Sequence, residues 1–212
     1  ANVTPNDHLP YVGKSAFAHK GGVHVAAMRR SAQSYQHVAP ERVGNKMRVV
    51  VSALSGRANL LSKAEEHGVD VSSVADVVGV LNDVKELEAR GFSFEAAEAS
   101  VAMMLKRQQP GYQPLFELVD FLVNVEHRQG RGIFAEAMVK LKVGDEVLHT
   151  AAEGNGPVNA LDLALRKALI GHYPEIAAFH LADYKVRILD GQDGTEAITR
   201  VLIDTRNTTR LW

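Results

Sequence analysis

The stretch Phe134-Ala-Glu-Ala-Met-Val-Lys-Leu-Lys-Val143 alternates between side chains that suit a core and side chains that suit solvent. Alternation with a period of two is typical of a strand with one buried face. A second alternating stretch, Phe116–Glu126, precedes it, and a third, Val147–Ala152, follows the Gly144-Asp145 turn. The pattern therefore predicts three consecutive strands. In the first of them, strict alternation places on one face Phe116, Leu118, Asp120, Leu122 and Asn124, and on the other Val119, Phe121, Val123 and Val125.

A helix is predicted directly after these strands, over Asn155–Ile170. Pro157 suits the first turn of a helix, and an apolar stripe follows at helical spacing: Val158, Leu161, Leu165 and Leu169. Two more strands, Tyr184–Leu189 and Ala197–Asp204, flank the Gly191-Gln-Asp-Gly194 turn. We interpret the order as one βββα unit and the beginning of a second, truncated unit, in a protein of the α+β class.

The residues before Pro110 have helical periodicity instead. Ser72 or Ser73 is placed to cap a first helix that Gly91 stops, with apolar positions at Val74, Val77, Val78, Leu81, Val84 and Leu87. Ser93 is placed to cap a second helix, with Glu95 in its first turn. Together they predict a helical hairpin.

Shorter elements are predicted nearer the beginning of the chain. Val23–Tyr35 has the pattern of a helix, Pro40-Glu41 begins a short element, and Leu60–His67 is a helix ended by Gly68. Residues 1–10 have the character of a linker from a larger protein. We predict three domains: a linker subdomain over 1–70, a helical hairpin over 71–112, and a βββα-type domain over 113–212.

Composition excludes several classes of function. The net charge is −1, so nothing favours nucleic acid or a membrane surface as a partner. Cysteine is absent, which excludes disulfides and thiolate metal sites. No apolar run approaches the roughly 18 residues of a spanning helix. We expect a cytoplasmic protein without nucleic-acid or membrane partners.

Three motifs combine glycine, small polar residues and a few charged or imidazole side chains: Ser15-Ala-Phe-Ala-His-Lys-Gly-Gly-Val-His24, Leu54-Ser-Gly-Arg-Ala-Asn59 and Gly154-Asn-Gly-Pro-Val-Asn-Ala-Leu-Asp162. Glycine lets a backbone approach a ligand closely. In this order the motifs resemble the C-terminal half of the α-isopropylmalate/citramalate synthase family, from about Pro10 onward. Val43-Gly-Asn-Lys-Met47 lacks the tyrosine that some family members carry there, which favours the citramalate type.

The resemblance implies a role for residues of the first motif. In these synthases a histidine that ends the motif reaches into the active site of the partner subunit, which identifies His24, and a nearby tyrosine that completes that site identifies Tyr35. His19 matches a motif position without a defined role. As a zinc pair, His19 and His24 lack a third ligand at useful spacing. The family's catalytic (β/α)8 barrel, with a divalent metal (Mn, Mg or Zn), has no counterpart in this sequence, so we expect the chain alone to be inactive.

The resemblance also implies that 113–212 is a regulatory domain, in which the end-product amino acid binds. The positions that match the effector pocket are Asn155, Gly156, Leu161, Asp162, Leu181, Tyr184 and Ile188. The leucines and the isoleucine also suit a plain hydrophobic core. Asp162 is predicted to bind the effector's ammonium, because an acid on an otherwise apolar helix face needs a partner.

Three functions follow as alternatives. The first is the linker and regulatory region of a citramalate synthase, which joins pyruvate and acetyl-CoA and responds to isoleucine. The second is the same region of an isopropylmalate synthase, which uses 2-ketoisovalerate and responds to leucine. The third is a free-standing amino-acid-binding module. An apolar sheet face that needs cover predicts a homodimer.

Overall fold

The computed structural model describes residues 6–70 and 77–208. The described residues form two compact units. Unit 1 contains those up to Tyr112 together with 184–202, and unit 2 contains 113–183 and those from Ile203 onward. No helix in the described ranges is long and apolar enough to cross a membrane. The mixed α+β class predicted from the sequence is confirmed.

Unit 1 begins with a parallel pair of short strands, β1 (Ala18–His19) and β2 (Arg48–Val49). Between them lie helix α1 (Gly22–Arg30) and two 3-10 helices, Ala32–Ser34 and Pro40–Val43. The helix predicted to reach Tyr35 therefore ends five residues earlier. Ser31 is extended there, with φ −150° and ψ 114°, which turns the chain out of the helix.

Helix α2 covers Arg57–Glu66, and the predicted stop at Gly68 is confirmed by its positive φ of 65°. The hairpin helices are α3 (Val77–Ala89) and α4 (Glu98–Arg107). The predicted caps Ser72 and Ser73, and Val74, lie outside the described residues. These helices enclose one hydrophobic core, formed mainly by Leu60, Val80, Leu81, Val84, Val101 and Leu105.

The start predicted for α4 at Ser93 is wrong, because the helix begins at Glu98 after Ala97. The intervening residues lower Phe94 into the core, where only 5% of its surface is exposed. The backbone N–H of Phe94 donates to the Glu88 carboxylate at 3.3 Å, outside any helical hydrogen-bond pattern. Glu95 was predicted in the first turn of this helix, but it lies before the start of the helix at Glu98. Its carboxylate pairs with Lys20 at 2.8 Å.

Unit 2 contains the predicted βββα arrangement. Strands β3 (Glu117–Arg128), β4 (Gly132–Val143) and β5 (Glu146–Gly154) form an antiparallel sheet in sequence order. Helix α5 (Pro157–Leu169) packs on one face of it. The shared core is built from small and medium side chains on β4 and α5: Ala135, Ala137, Val139 and Leu141 against Ala160, Ala164, Ala168 and Leu169.

Strict alternation in β3 fails at one point. Leu118 pairs with Leu141, but Asp120 pairs with Lys140, so Val119 is an extra residue in a β-bulge. The bulge moves Leu118 to the same face as Phe121 and Val123, whereas unbroken alternation placed it on the face of Asp120. The face assignment predicted for Leu118 is therefore wrong.

Two further strands follow α5, separated from it by a 3-10 helix over Pro174–Ala178. Strand β6 (His180–Ile188) pairs with β7 (Thr199–Arg206), and a short 3-10 helix, Gly194–Glu196, lies in the turn between them. The hairpin predicted there is confirmed, although β6 begins four residues before the predicted start at Tyr184.

Candidate functional site

The His-Lys-Gly-Gly-Val-His motif forms the junction between β1 and α1. His19 ends the strand, Gly21 precedes the helix, and His24 lies in the first turn of α1. The side chain of His24 is exposed, and its ring stacks on Tyr35 with centroids 4.1 Å apart and planes 23° apart. The structure thus brings together the two residues that the resemblance named as catalytic.

His19 differs from His24 in its surroundings. In the part of the chain that the structure describes, its Nε2 is buried and has no hydrogen-bond partner. Burial lowers the pKa of the His19 imidazole from its ordinary value, and the nearby His24 lowers it further. His19 therefore takes up a proton at a lower pH than an ordinary histidine does.

The loop before α2 holds the motif in place. Asn59 is fully buried, and its Nδ2 donates to the carbonyl oxygens of Lys20 at 2.9 Å and Val50 at 3.1 Å. Its Oδ1 accepts the backbone N–H of Gly56 at 3.1 Å. Ser55 Oγ lies 3.3 Å from the same Lys20 oxygen and accepts the backbone N–H of Ser52 at 2.9 Å. Asn59 therefore joins the ends of β1 and β2 to the beginning of α2.

Two glycines let these backbones meet. A Cβ on Gly22 would lie 2.8 Å from the backbone nitrogen and 2.9 Å from the Cα of Gly56. The N–H of Gly22 points to the carbonyl oxygen of Leu54 at 3.4 Å. The sequence identified Leu54–Asn59 only as a glycine-containing motif, and the bonds from Asn59 to Lys20 and Val50 were missed. An asparagine three residues after Gly56, at the start of a helix, is a capping signal that could have predicted the bond to the Gly56 N–H.

Ion pairs connect the surrounding helices. Arg29 of α1 pairs with Glu65 of α2 at 2.8 Å. The buried Lys63 ammonium lies 2.8 Å from Glu66 and 3.1 Å from Glu98, and Glu98 also pairs with Arg48 at 2.7 Å.

The two cations set the charge state of Glu98. Burial raises the pKa of the Glu98 carboxyl, but the bonds to Arg48 and Lys63 lower it by more, so this pKa lies below its ordinary value. Glu98 therefore stays ionised and ties α4 to β2 and α2.

The predicted effector residues are distributed over both units. Asn155, Gly156, Leu161 and Asp162 share the loop before α5 and its first turns, and Leu181 lies in β6 of the same unit. Tyr184 and Ile188 belong to unit 1. Successive strand residues face opposite ways, so Tyr184 and Ile188 share a face of β6 and Leu181 lies on the other.

Three features of the structure bear on the predicted effector pocket. Asp162 is exposed and pairs with Arg166 one turn later at 2.8 Å, so it does not lie on an apolar face as predicted. Leu161 packs against the core of unit 2, while Leu181, Tyr184 and Ile188 are exposed. The backbone N–H of Asn155 donates to Asn159 Oδ1 at 3.2 Å, so this N–H already has a hydrogen-bond partner. The pocket itself stays a prediction.

No group of three or more histidine and acidic side chains within 6–70 and 77–208 could hold a metal ion. This observation concerns only the described residues.

Two protein-family models match the chain. Residues 95–212 match the model of the LeuA allosteric (dimerisation) domain, which covers more than half of the chain. The chain belongs to this LeuA domain family. Residues 11–91 match the homocitrate synthase post-HMGL domain-like family, so the LeuA domain follows a region of another family in this protein.

Several curated relatives are similar over the whole chain. The (R)-citramalate synthase of Geobacter sulfurreducens is 49% identical over 214 residues, and that of Synechocystis sp. is 48% identical over 218 residues. The enzyme of Streptomyces coelicolor is 47% identical over 214 residues. In each comparison the match covers 100% of this chain and 40% of the relative. The resemblance to the isopropylmalate/citramalate synthase family is confirmed, and the chain spans about two fifths of the length of these relatives.

Proposed function

We propose that the chain is the linker and regulatory part of a citramalate synthase, which condenses pyruvate with acetyl-CoA on the route to isoleucine. The observation that supports it best is the identity of 47–49%, over the full chain, to three proteins named (R)-citramalate synthase. The exposed pair of His24 and Tyr35 agrees with it, because a pair on the surface of one chain is available to the active site of another.

In this proposal the catalytic barrel and its divalent metal (Mn, Mg or Zn) lie in the remaining part of the full-length protein. The His24 imidazole either transfers a proton at the reacting carbonyl or stabilises the charge that develops there. The stacked Tyr35 ring limits the rotation of this imidazole. Partial burial and the nearby His24 lower the pKa of the neighbouring His19, which disfavours a second positive charge close to His24.

Turnover by the full-length protein tests this function. We expect CoA release with pyruvate and acetyl-CoA to exceed that with 2-ketoisovalerate, and the isolated 212-residue chain to release none. His24→Ala should lower kcat by roughly 10²–10⁴-fold, as for the loss of a general acid or base. His149→Ala, at an exposed position of β5 on the face of the sheet away from α5, is the matched control and should retain full turnover. Unchanged turnover of His24→Ala, or a preference for 2-ketoisovalerate, would contradict the proposal.

We further propose that the LeuA domain binds isoleucine in preference to leucine. The carboxylate would bind near the Asn155–Gly156 loop and the ammonium at Asp162, in competition with Arg166. Arg166 can leave Asp162 without losing all its bonds, since its Nη1 also donates to the carbonyl oxygen of Ile176 at 2.7 Å. The aliphatic chain would contact Leu161 and Leu181 of the same unit.

Calorimetry on the full-length protein checks effector binding. Isoleucine should bind, and Asp162→Asn should weaken it at least tenfold, because charge-assisted hydrogen bonds to an ammonium are among the stronger contacts in such a site. Glu175→Gln, which removes an exposed acid elsewhere in unit 2, should leave the affinity unchanged. Tight binding of leucine alone would identify the effector as leucine, and binding of neither would leave the LeuA domain with dimerisation only.

A further inference from the structure

The Lys20 carbonyl lies where the chain passes from strand β1 to helix α1. It is the last backbone acceptor before Gly21 and Gly22, and four residues later the first turn of α1 carries His24. Two glycines in succession leave the backbone without side chains that would restrict its direction. The direction in which α1 leaves β1 must therefore be set by contacts made from elsewhere.

One buried side chain supplies two of these contacts. Asn59 has no exposed surface and donates both Nδ2 bonds to carbonyl oxygens at the ends of the two short strands, Lys20 and Val50. Both bonds are shorter than the Ser55 Oγ distances to the same two oxygens, 3.3 and 3.4 Å. Since β1 and β2 are only two residues long each, their own ladder offers little resistance to rotation.

We infer that Asn59 is a positioning residue for catalysis: its clamp on Lys20 sets the orientation of the His24–Tyr35 pair and thereby the rate of the condensation. The inference rests on the proposed function, because it assigns His24 to the reacting centre. Asn59 itself does not touch substrate. Its side chain acts through Lys20, the glycine pair and the first turn of α1.

Kinetics of Asn59→Ser in the full-length protein test the inference. The variant loses the two Nδ2 donors, and we expect kcat to fall by about 10–100-fold, since a misplacement of about 1 Å costs on that order. The KM values for pyruvate and acetyl-CoA should change by less than about threefold, because the substrates bind in the barrel. Ser55→Ala removes the longer contacts to Lys20 and Val50 together with the acceptor of the Ser52 N–H, keeps both Asn59 bonds, and should lower kcat by a few fold.

A matched control separates positioning from loss of stability. Leu60 is the next residue of α2, is equally buried, and makes no bond to Lys20. Leu60→Ala should destabilise the protein at least as much as Asn59→Ser, yet retain kcat at a temperature where both are folded. Equal losses of kcat in the two variants would overturn the inference.

Chemical modification gives a readout that does not depend on turnover. Diethyl pyrocarbonate reacts with accessible imidazoles, and peptide mass spectrometry resolves His24 from the exposed His149, which serves as the reference. We expect Asn59→Ser to change the rate ratio of His24 to His149 at least threefold, and Leu60→Ala to leave it unchanged. If Asn59→Ser is too unstable to purify, Ser55→Ala should change the ratio in the same direction.

The outcomes are distinguishable. An unchanged His24 ratio in both Asn59→Ser and Ser55→Ala overturns the positioning role, whatever their kcat. A changed ratio with full kcat also overturns it. Full turnover by His24→Ala instead removes the proposed function on which the inference rests.

Discussion

Gly22 lies against the backbone of Gly56, and the contact leaves no room for a methyl group between them. Gly21, one residue earlier, is different: a Cβ there would meet only the His24 ring, at 3.7 Å, with φ at −70°. The pair offers a comparison between adjacent glycines in one motif.

We expect Gly22→Ala to destabilise unit 1 by about 1–3 kcal/mol, in spite of the helix propensity gained, because backbone rather than a flexible side chain must move. Gly21→Ala should change the free energy of unfolding by less than about 0.5 kcal/mol. Denaturant titrations of both variants measure the difference. Equal free energies of unfolding for the two variants would mean that the segments around Gly22 and Gly56 move apart without cost.

The partly buried imidazole of His19 makes stability depend on pH. Its pKa is lower in the folded chain than the ordinary 6.5, so the unfolded chain takes up the proton first as the pH falls. The stability that neutral His19 contributes is present above pH 6.5 and is lost progressively as the pH falls towards the folded pKa. We expect His19→Gln to flatten the dependence of the unfolding free energy on pH below pH 6.5. An unchanged pH dependence in His19→Gln would contradict this expectation.

At the scale of elements, α5 approaches its sheet through alanine. Ala160, Ala164 and Ala168 repeat every four residues and face Ala135 and Ala137 on β4. The backbone of α5 is also tied to the sheet, because Thr150 Oγ1 on β5 donates to the Ala164 carbonyl oxygen at 2.7 Å. Ala164→Leu should therefore cost about 1–3 kcal/mol through overpacking.

Leu163 provides the matched position, one residue away on the outer side of α5 and 41% exposed. Leu163→Ala should change stability by less than about 0.5 kcal/mol, apart from helix propensity. Thermal unfolding of both variants compares them. A neutral Ala164→Leu would show that helix and sheet move apart freely.

Periodicity predicted the strands of unit 2 and its helix because each buries one face against a single partner. It failed where a tertiary contact replaced the local preference. Ser93 and Glu95 have the local pattern of a helix start. The helix α4 begins only at Glu98, because Phe94 is buried in the core and Glu95 pairs with Lys20. The extra residue Val119 in β3 has no local signal either, since a bulge depends on the register with β4.

The site was predicted in the same uneven way. His24 and Tyr35 were named from motif resemblance, and the structure stacks them. Asn59 was missed as their support because its acceptors lie 39 and 9 residues away, Lys20 and Val50. Nothing in a single sequence states which distant carbonyl a buried amide will reach.

For the whole molecule, edge strand β3 leaves apolar side chains uncovered on the face that carries α5. Phe121 and Val125 are 54% and 51% exposed there. Together with the LeuA dimerisation domain match, this supports a homodimer. Phe121→Glu should shift the mass in light scattering towards the monomer, while Leu54→Glu, at an exposed position in unit 1, should not. A monomeric wild type at high concentration would contradict the expectation.

The surface position of the His24–Tyr35 pair has a consequence for mixed populations of subunits. If each pair serves the barrel of the other subunit, two inactive variants can complement each other in a mixed dimer. A dimer of one His24→Ala subunit and one subunit with a disabled barrel contains one site with both functional halves. Random exchange of equal amounts should then restore about a quarter of wild-type turnover, since about half of the dimers are mixed and half of their sites are intact. If each pair instead served the barrel of its own subunit, mixing the two inactive proteins would restore no turnover at any ratio.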